Sequence, residues 1–142
     1  MQTETSFFDY VFCWQTLSFL EEPQKALMEL IRITKANGKI YLSSLFNLDH
    51  NVDLYTKVYD HTRESSKNGF AMTYNTFSAY TIEKWIKNKV EKFTIHKFII
   101  DIDIFPPPLG IGTYTKKLEN VNERLQISGG MLMNWGILEI SI

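Results

Sequence analysis

Cysteine is nearly absent. The 142 residues hold one, Cys13, so no internal disulfide and no multi-cysteine metal site is available. No run approaches the ~20 apolar residues of a membrane span. Charge of one sign is also missing: fifteen basic residues stand against sixteen acidic ones, a net of -1. Without a basic block, the electrostatic term behind nonspecific phosphate binding is small, which argues against nucleic acid and membrane surfaces as partners. The opening "MQTETS" has no Lys, no Arg and no apolar core, so it does not read as a secretory signal. There is no Gly-x-Ser-x-Gly, no phosphate-binding glycine loop and no paired-carboxylate signature. These absences predict a soluble, cytoplasmic protein. What is present is a 44% hydrophobic and 14% aromatic share, which is globular and fits one domain over 1–142.

Phe8 to Trp14 is almost continuously apolar, as in a strand covered on both faces. "TLSFLEEP" follows as a turn. Pro23 suits the first position of a helix. Ala26, Leu27, Leu30, Ile31 and Thr34 then recur at three- and four-residue spacing, one buried stripe. Asn37-Gly38 supplies a left-handed stop. Lys39–Leu45 reads as a second strand, so the unit is strand, helix, strand, with parallel strands and a right-handed crossover. The stretch 49–66 reads as a polar helix with Val52, Tyr55 and Tyr59 inward. A short amphipathic helix from Tyr80 buries Ile82, Trp85 and Ile86; its capping signal at Thr81 is poor, because Lys84 stands where Glu is wanted. A long strand is expected over 93–104 and an antiparallel closing strand over 131–141. Three prolines and several glycines make 105–130 an irregular insertion.

Ligands of open α/β sheets sit outside the carboxyl ends of the strands. Here those ends are Cys13 to Leu17 and Ser43 to Asn47. Gln15, Thr16, Ser43, Ser44, Asn47, Asp49 and His50 gather on that rim, and Asp60, His61 and Arg63 follow. Each has a plainer reading. Cys13 reads as a small core residue before a nucleophile. The serines satisfy backbone at a strand end as readily as they bind a ligand. Asp49 reads as a helix N-cap ahead of a catalytic acid. Asp49, His50, Asp53, Asp60 and His61 match no metal-site spacing and read as a solvated helix face. No metal is expected. His96 reads as structural.

The segment "FDYVFCWQTLSFLEEPQKALMELIRITKANGKIYLSSLF" resembles the middle of a class I S-adenosylmethionine-dependent methyltransferase. It has the strand opening Phe-Asp-x-Val, the loop with Leu and Pro, and a helix with Glu29 and Arg32 at Glu-x-x-Arg spacing. The family's turn into the next strand is Lys-Pro-Gly-Gly; here it is Lys35-Ala36-Asn37-Gly38. Asn is physically acceptable at a left-handed position. The resemblance covers about 7–46 and implies the C-terminal half of a Rossmann-like methyltransferase domain. The expected sheet has parallel strands 8–14 and 39–45 and an antiparallel pair near 93–104 and 131–141.

The resemblance implies S-adenosylmethionine as cofactor. The family's glycine-rich loop and ribose-binding acid belong upstream of Phe7, where this chain has no matching residues. Only the rim after the first strand carries over, which assigns cofactor contacts to Cys13, Trp14, Gln15, Thr16 and Leu17. The acceptor side then falls to His61 as base, with Tyr55, Arg63, Tyr74, Asn75, Tyr114 and Trp135 around the substrate. A small-molecule or sugar-type acceptor fits the near-neutral charge. The chain is expected to be incomplete alone: a truncated domain, half of a two-chain enzyme, or a non-catalytic interaction module. A second chain or self-association along the 8–14 edge is expected, because a bare apolar edge invites pairing.

Overall fold

The computed structural model describes residues 6–48, 50–61, 70–98, 100–106, 113–119, 124–128, 131–132 and 134–142. The chain opens with β1 (Phe8–Trp14), a 3-10 turn at Leu17–Phe19, α1 (Pro23–Ile33) and β2 (Thr34–Asn47). β3 (Lys57–Asp60), β4 (Phe70–Thr73), β5 (Phe77–Ser78) and α2 (Ala79–Ile86) follow. β6 (Lys92–Phe98), β7 (Thr113–Lys117), β8 (Arg124–Ser128), β9 (Met131–Leu132) and β10 (Asn134–Ser141) complete it.

The main sheet runs β1-β2-β10-β6, with β5 joined to the end of β2. β1 and β2 are parallel, while β10 is antiparallel to both β2 and β6. The expected parallel unit and antiparallel closing pair are both present. β3 and β4 form a separate two-stranded ribbon, and β7-β8-β9 a separate three-stranded sheet.

Register explains where the core sits, because side chains alternate faces along a strand. One row across the sheet is Val11, Ile40, Ile140, Phe93; the next is Cys13, Leu42, Leu138, Ile95. Ile40, Leu42, Leu138 and Ile140 are fully buried, with Leu27 of α1 and Ile82 and Ile86 of α2 in the same cluster. Both helices therefore cover one face. Pro23 occupies the first turn of α1, where its missing N–H costs nothing. α2 is capped by Ser78, whose side chain accepts from the Thr81 amide, and not by the motif read at Thr81.

The opposite face has no helix over it among the described residues. Its rows are Tyr10, Lys39, Ser141, Lys92, then Phe12, Tyr41, Glu139, Thr94, then Trp14, Ser43, Ile137, His96. Along β1, Phe8, Tyr10, Phe12 and Trp14 are 36%, 63%, 66% and 58% exposed. Phe12 stacks on Tyr41 at 5.6 Å between ring centroids. Glu139 holds Lys39 at 2.9 Å and lies 3.3 Å from His96 Nε2, so His96 has a carboxylate partner on this exposed face.

Four expectations are corrected. The described part of 49–66 contains no helix: Leu54 bridges Thr76, and 57–60 is strand β3. Val52, Tyr55 and Tyr59 mimic a helical stripe by spacing, yet all are more than half exposed, so no core face holds them. The strand expected over 93–104 ends at Phe98, and beyond it Asp101 and Asp103 bind the Arg124 guanidinium. The 105–130 segment is not irregular throughout, since β7 and β8 pair within it over five positions. β2 begins five residues earlier than Lys39, through an irregularity between the Phe8 and Tyr10 pairings. Asn37 there is left-handed, with φ 65°, as its identity suggested.

Candidate functional site

The rim lies at the carboxyl ends of β1 and β2. β1 ends at Trp14, and Gln15 turns the chain with φ 50°. A left-handed backbone costs a non-glycine residue roughly 1–2 kcal/mol. Two bonds to one neighbour hold it there. The Gln15 amide donates to the Ser43 carbonyl at 3.0 Å, and Gln15 Nε2 donates to Ser43 Oγ at 2.8 Å. Strain held in place at a strand end is a feature that gathers at binding sites. The Thr16 hydroxyl donates back to the Trp14 carbonyl at 2.9 Å. Ser18 and Ser44, both buried, share a hydroxyl–hydroxyl bond of 2.7 Å. The loop after β1 is thus stitched twice to the end of β2.

A third segment closes the rim. The Asn75 amide donates to the Ser18 carbonyl at 2.7 Å, and its Nδ2 donates to the Leu20 carbonyl at 3.3 Å. Asn75 Oδ1 accepts from the Thr56 amide at 3.3 Å. Thr73 Oγ1 donates to the Phe19 carbonyl at 2.8 Å. The Tyr74 ring lies 5.1 Å from that of Phe19, and its amide donates to Thr56. These bonds hang the β3–β4 ribbon beside the loop that follows β1.

Asp53 anchors the same region from the other side. One carboxylate oxygen accepts from the Ser78 amide at 2.7 Å and the Ser78 hydroxyl at 2.9 Å. The other accepts from Thr81 Oγ1 at 2.6 Å. Burial pushes this carboxyl up, but the bonds from Ser78 and Thr81 together hold it below its usual range. The positive end of α2 meets a carboxylate there. Burial, and then the Asp53 charge, pushes the Tyr55 phenol up, so it stays protonated and able to donate.

The candidate residues fall into three groups. Trp14, Gln15 and Thr16 stand on the rim itself. Cys13 is half-buried against the core, and burial raises its thiol more than the Thr16 bond lowers it. Leu17 is fully buried, so its side chain packs while its backbone shapes the turn. Tyr55, Tyr74 and Asn75 are brought together beside the rim, and Asn75 spends its amide on Leu20 and Thr56. Trp135 lies opposite Leu45 in the β2–β10 register, which puts its backbone near the end of β2. His61 is exposed directly after β3. Tyr114 is on β7, in the sheet apart from the rim strands. Arg63 lies outside the described residues. Asp53 and Ser18 were not foreseen at the site. Asp53 faces its partners in a segment that bridges at Leu54 and is not helical, and no local pattern announces that. Among the described residues no three His, Cys, Asp or Glu side chains could hold a metal. No described helix is long and apolar enough to cross a membrane.

A family model described as a methyltransferase domain matches residues 1–42. No curated protein matches. Among solved structures, a SAM-dependent methyltransferase of Methanosarcina mazei shares 11% identity at a TM-score of 0.50, over 100% of this chain and 63% of its own. One of Thermotoga maritima shares 16% at 0.46, over 99% and 59%. The N-terminal domain of EvdMO1, crystallised with SAH and D-fucose, shares 14% at 0.47, over 96% and 48%. The chain spans 48% to 63% of the length of these three. The 1–42 match takes in β1, α1 and most of β2, the strands that end in the strained rim, and the fold of this chain is SAM-methyltransferase-like.

Proposed function

We propose that this chain contributes the acceptor-side half of an S-adenosylmethionine-dependent methyltransferase. One observation carries the reading. The segment that matches a methyltransferase domain ends its first strand in a left-handed Gln15 clamped to Ser43, at the sheet end where a cofactor belongs. The exposed Trp14 ring, the Gln15 turn and the Thr16 backbone fit one wall of a cofactor site. The opposite wall, a glycine-rich loop, has no counterpart within these 142 residues. It would come from polypeptide outside them.

When bound, the cofactor supplies the electrophilic methyl group. This chain's own residues would position the acceptor and handle its proton. An acceptor must sit about 3 Å from the reacting carbon, and the pinned loop beside the 73–76 segment offers a fixed platform for that. His61 is the proposed base. The protonated Tyr55 phenol is a donor for an acceptor oxygen, and Tyr74 is a ring to lie against. Asn75 acts by holding the two loops in register. Arg63, Tyr114 and Trp135 complete the acceptor side in this reading. A small-molecule or sugar-type acceptor suits a chain of net charge -1.

The test is photolabelling. Protein taken from its own cells is irradiated with tritiated S-adenosylmethionine and digested. Label on the peptide containing Cys13 to Leu17, competed by S-adenosylhomocysteine, is expected. Label absent from that peptide overturns the cofactor assignment. Turnover unchanged by His61→Ala removes His61 as base.

A further inference from the structure

Three exposed side chains, Tyr55, Lys57 and Tyr59, alternate into and along β3. We infer that Lys57 is a specificity-determining residue of the acceptor subsite and takes the carboxylate of a small, ring-bearing hydroxy acid. Lys57 acts there beside Tyr55, which the methyltransferase reading, on which this rests, makes the donor at the acceptor oxygen.

Register places these groups on one face. Lys57 pairs with Thr73 and Tyr59 with Ala71, and the bridge of Leu54 to Thr76 keeps the same register. Tyr55 therefore stands opposite Asn75. Tyr55, Lys57 and Tyr59 share a face with Asn75, Thr73 and Ala71. The Tyr55 ring agrees, since it lies 6.1 Å from that of Phe77, two residues beyond Asn75. Thr73 and Asn75 are bonded to the Phe19 and Leu20 carbonyls, so the ribbon adjoins the loop that follows β1. Tyr55 is at the near end of the row and Tyr59 at the far end.

Charge names the ligand. The Lys57 ammonium lies over the Tyr59 ring, 5.7 Å from its centroid. That contact holds a long side chain in place without neutralising it. Among the described residues no carboxylate pairs with Lys57, so its charge is left for a ligand. Lys57 is also the one cation of the ribbon strands β3 and β4. One ammonium balances one carboxylate, whereas a phosphate carries nearly two charges and calls for more.

Spacing sets the length. Neighbouring positions on one face of a strand lie about 7 Å apart, and the in-register bridge at Leu54 carries that spacing back to Tyr55. An oxygen at Tyr55 and a carboxylate at Lys57 are thus one ring apart. Thr73 and Ala71, opposite, are short and leave room for that ring between the two tyrosines.

The experiment titrates four compounds into the full chain at about 0.15 M salt, where long-range attraction is screened. Two are acids, para-hydroxybenzoate and D-glucuronate. Two are their uncharged counterparts, para-hydroxybenzamide and D-glucose. Amide shifts in two-dimensional NMR report where each binds. At least one acid is expected to shift the amides of Tyr55 to Tyr59 and of Thr73, and to bind about tenfold more tightly than its counterpart. The tighter acid identifies the ring as aromatic or sugar. Lys57→Gln should abolish the preference and Lys57→Arg should keep it, with thermal melts unchanged in both. Neither acid preferred, a preference that survives Lys57→Gln, or shifts confined to the Lys39–Glu139 face overturns the proposal. The two readings fail separately. Acid binding at Lys57 in protein that gives no photolabel on Cys13 to Leu17 keeps the subsite and removes the methyltransferase assignment. Label without acid binding does the reverse.

Discussion

Gln15 can be tested without knowing any ligand. Replace it by alanine and, separately, by glycine, and compare the two variants with each other. Both lose the 2.8 Å bond to Ser43 Oγ, so that bond cancels from the difference. What remains is the backbone at φ 50°. Alanine keeps a strain of roughly 1–2 kcal/mol, and glycine relieves it. Glycine gives back about 0.5–1 kcal/mol through its freer unfolded chain. Glycine is therefore expected to be the more stable of the two by about 0.5–1 kcal/mol, a two- to fivefold difference in the unfolding equilibrium. Against wild type, alanine falls by about 1 kcal/mol, the ordinary worth of a part-buried hydrogen bond. Urea unfolding followed by tryptophan fluorescence resolves these differences when the slopes agree. An alanine variant equal to or more stable than glycine refutes the reasoning, because residue 15 then has no left-handed strain to relieve.

Other outcomes follow from the same contacts. Asp53→Ala removes three bonds at the start of α2 and should cost about 1–2 kcal/mol at neutral pH. The folded Asp53 carboxyl lies below its unfolded value of 3.8, so its contribution is full above that value and is lost as pH falls through the folded one. Melting temperatures of wild type and Asp53→Ala should therefore converge in acid; a constant gap down to low pH contradicts the clamp. Gly136→Ala puts a Cβ 2.6 Å from Phe46 Cδ2 and 3.0 Å from Ile95 Cγ2. Overpacking of that kind costs about 1–3 kcal/mol, and Phe46→Leu in the same chain should recover part of it in thermal melts. Arg124→Ala frees Asp101 and Asp103, and hydrogen exchange should quicken at the 113–117 amides while α1 is unaffected. Exchange that quickens equally in α1 would mean global loss of structure instead.

The part of the fold that was legible is the part written in local pattern. β1, α1 and β2 announce themselves through an apolar strand, a proline at the helix start, a four-residue stripe and an Asn-Gly turn. The closing antiparallel strands were legible too, because β10 is strongly apolar. The 49–66 segment was not. Val52, Tyr55 and Tyr59 repeat at helical spacing, but their neighbours are a bridge at Thr76 and a ribbon partner at 70–73, set by residues far along the chain. Ile100 and Ile102 alternate with aspartates as a strand would, and Arg124 claims those aspartates instead. At the site, the rim position of Gln15 followed from strand order, whereas its left-handed backbone had no signal in residue type. Asp53 was visible as a charge and invisible as the partner of a helix cap, since Ser78 lies 25 residues later.

The place of β10 has a consequence for how the protein comes into being. It lies between β2 and β6, and its Glu139 reaches a lysine 100 residues earlier. Among the described residues β6 pairs in the main sheet with β10 alone. During synthesis the β1–α1–β2 unit emerges well before β10 and can collapse on its own local contacts. It must then wait, with one flank of β2 open, until β10 has left the ribosome. Insertion of β10 closes the longest loops in the molecule, and such non-local pairing is slow. Over that interval the flank of β2 that β10 will cover stays exposed. That interval is when misassembly threatens most. The final strand sets the tempo of folding.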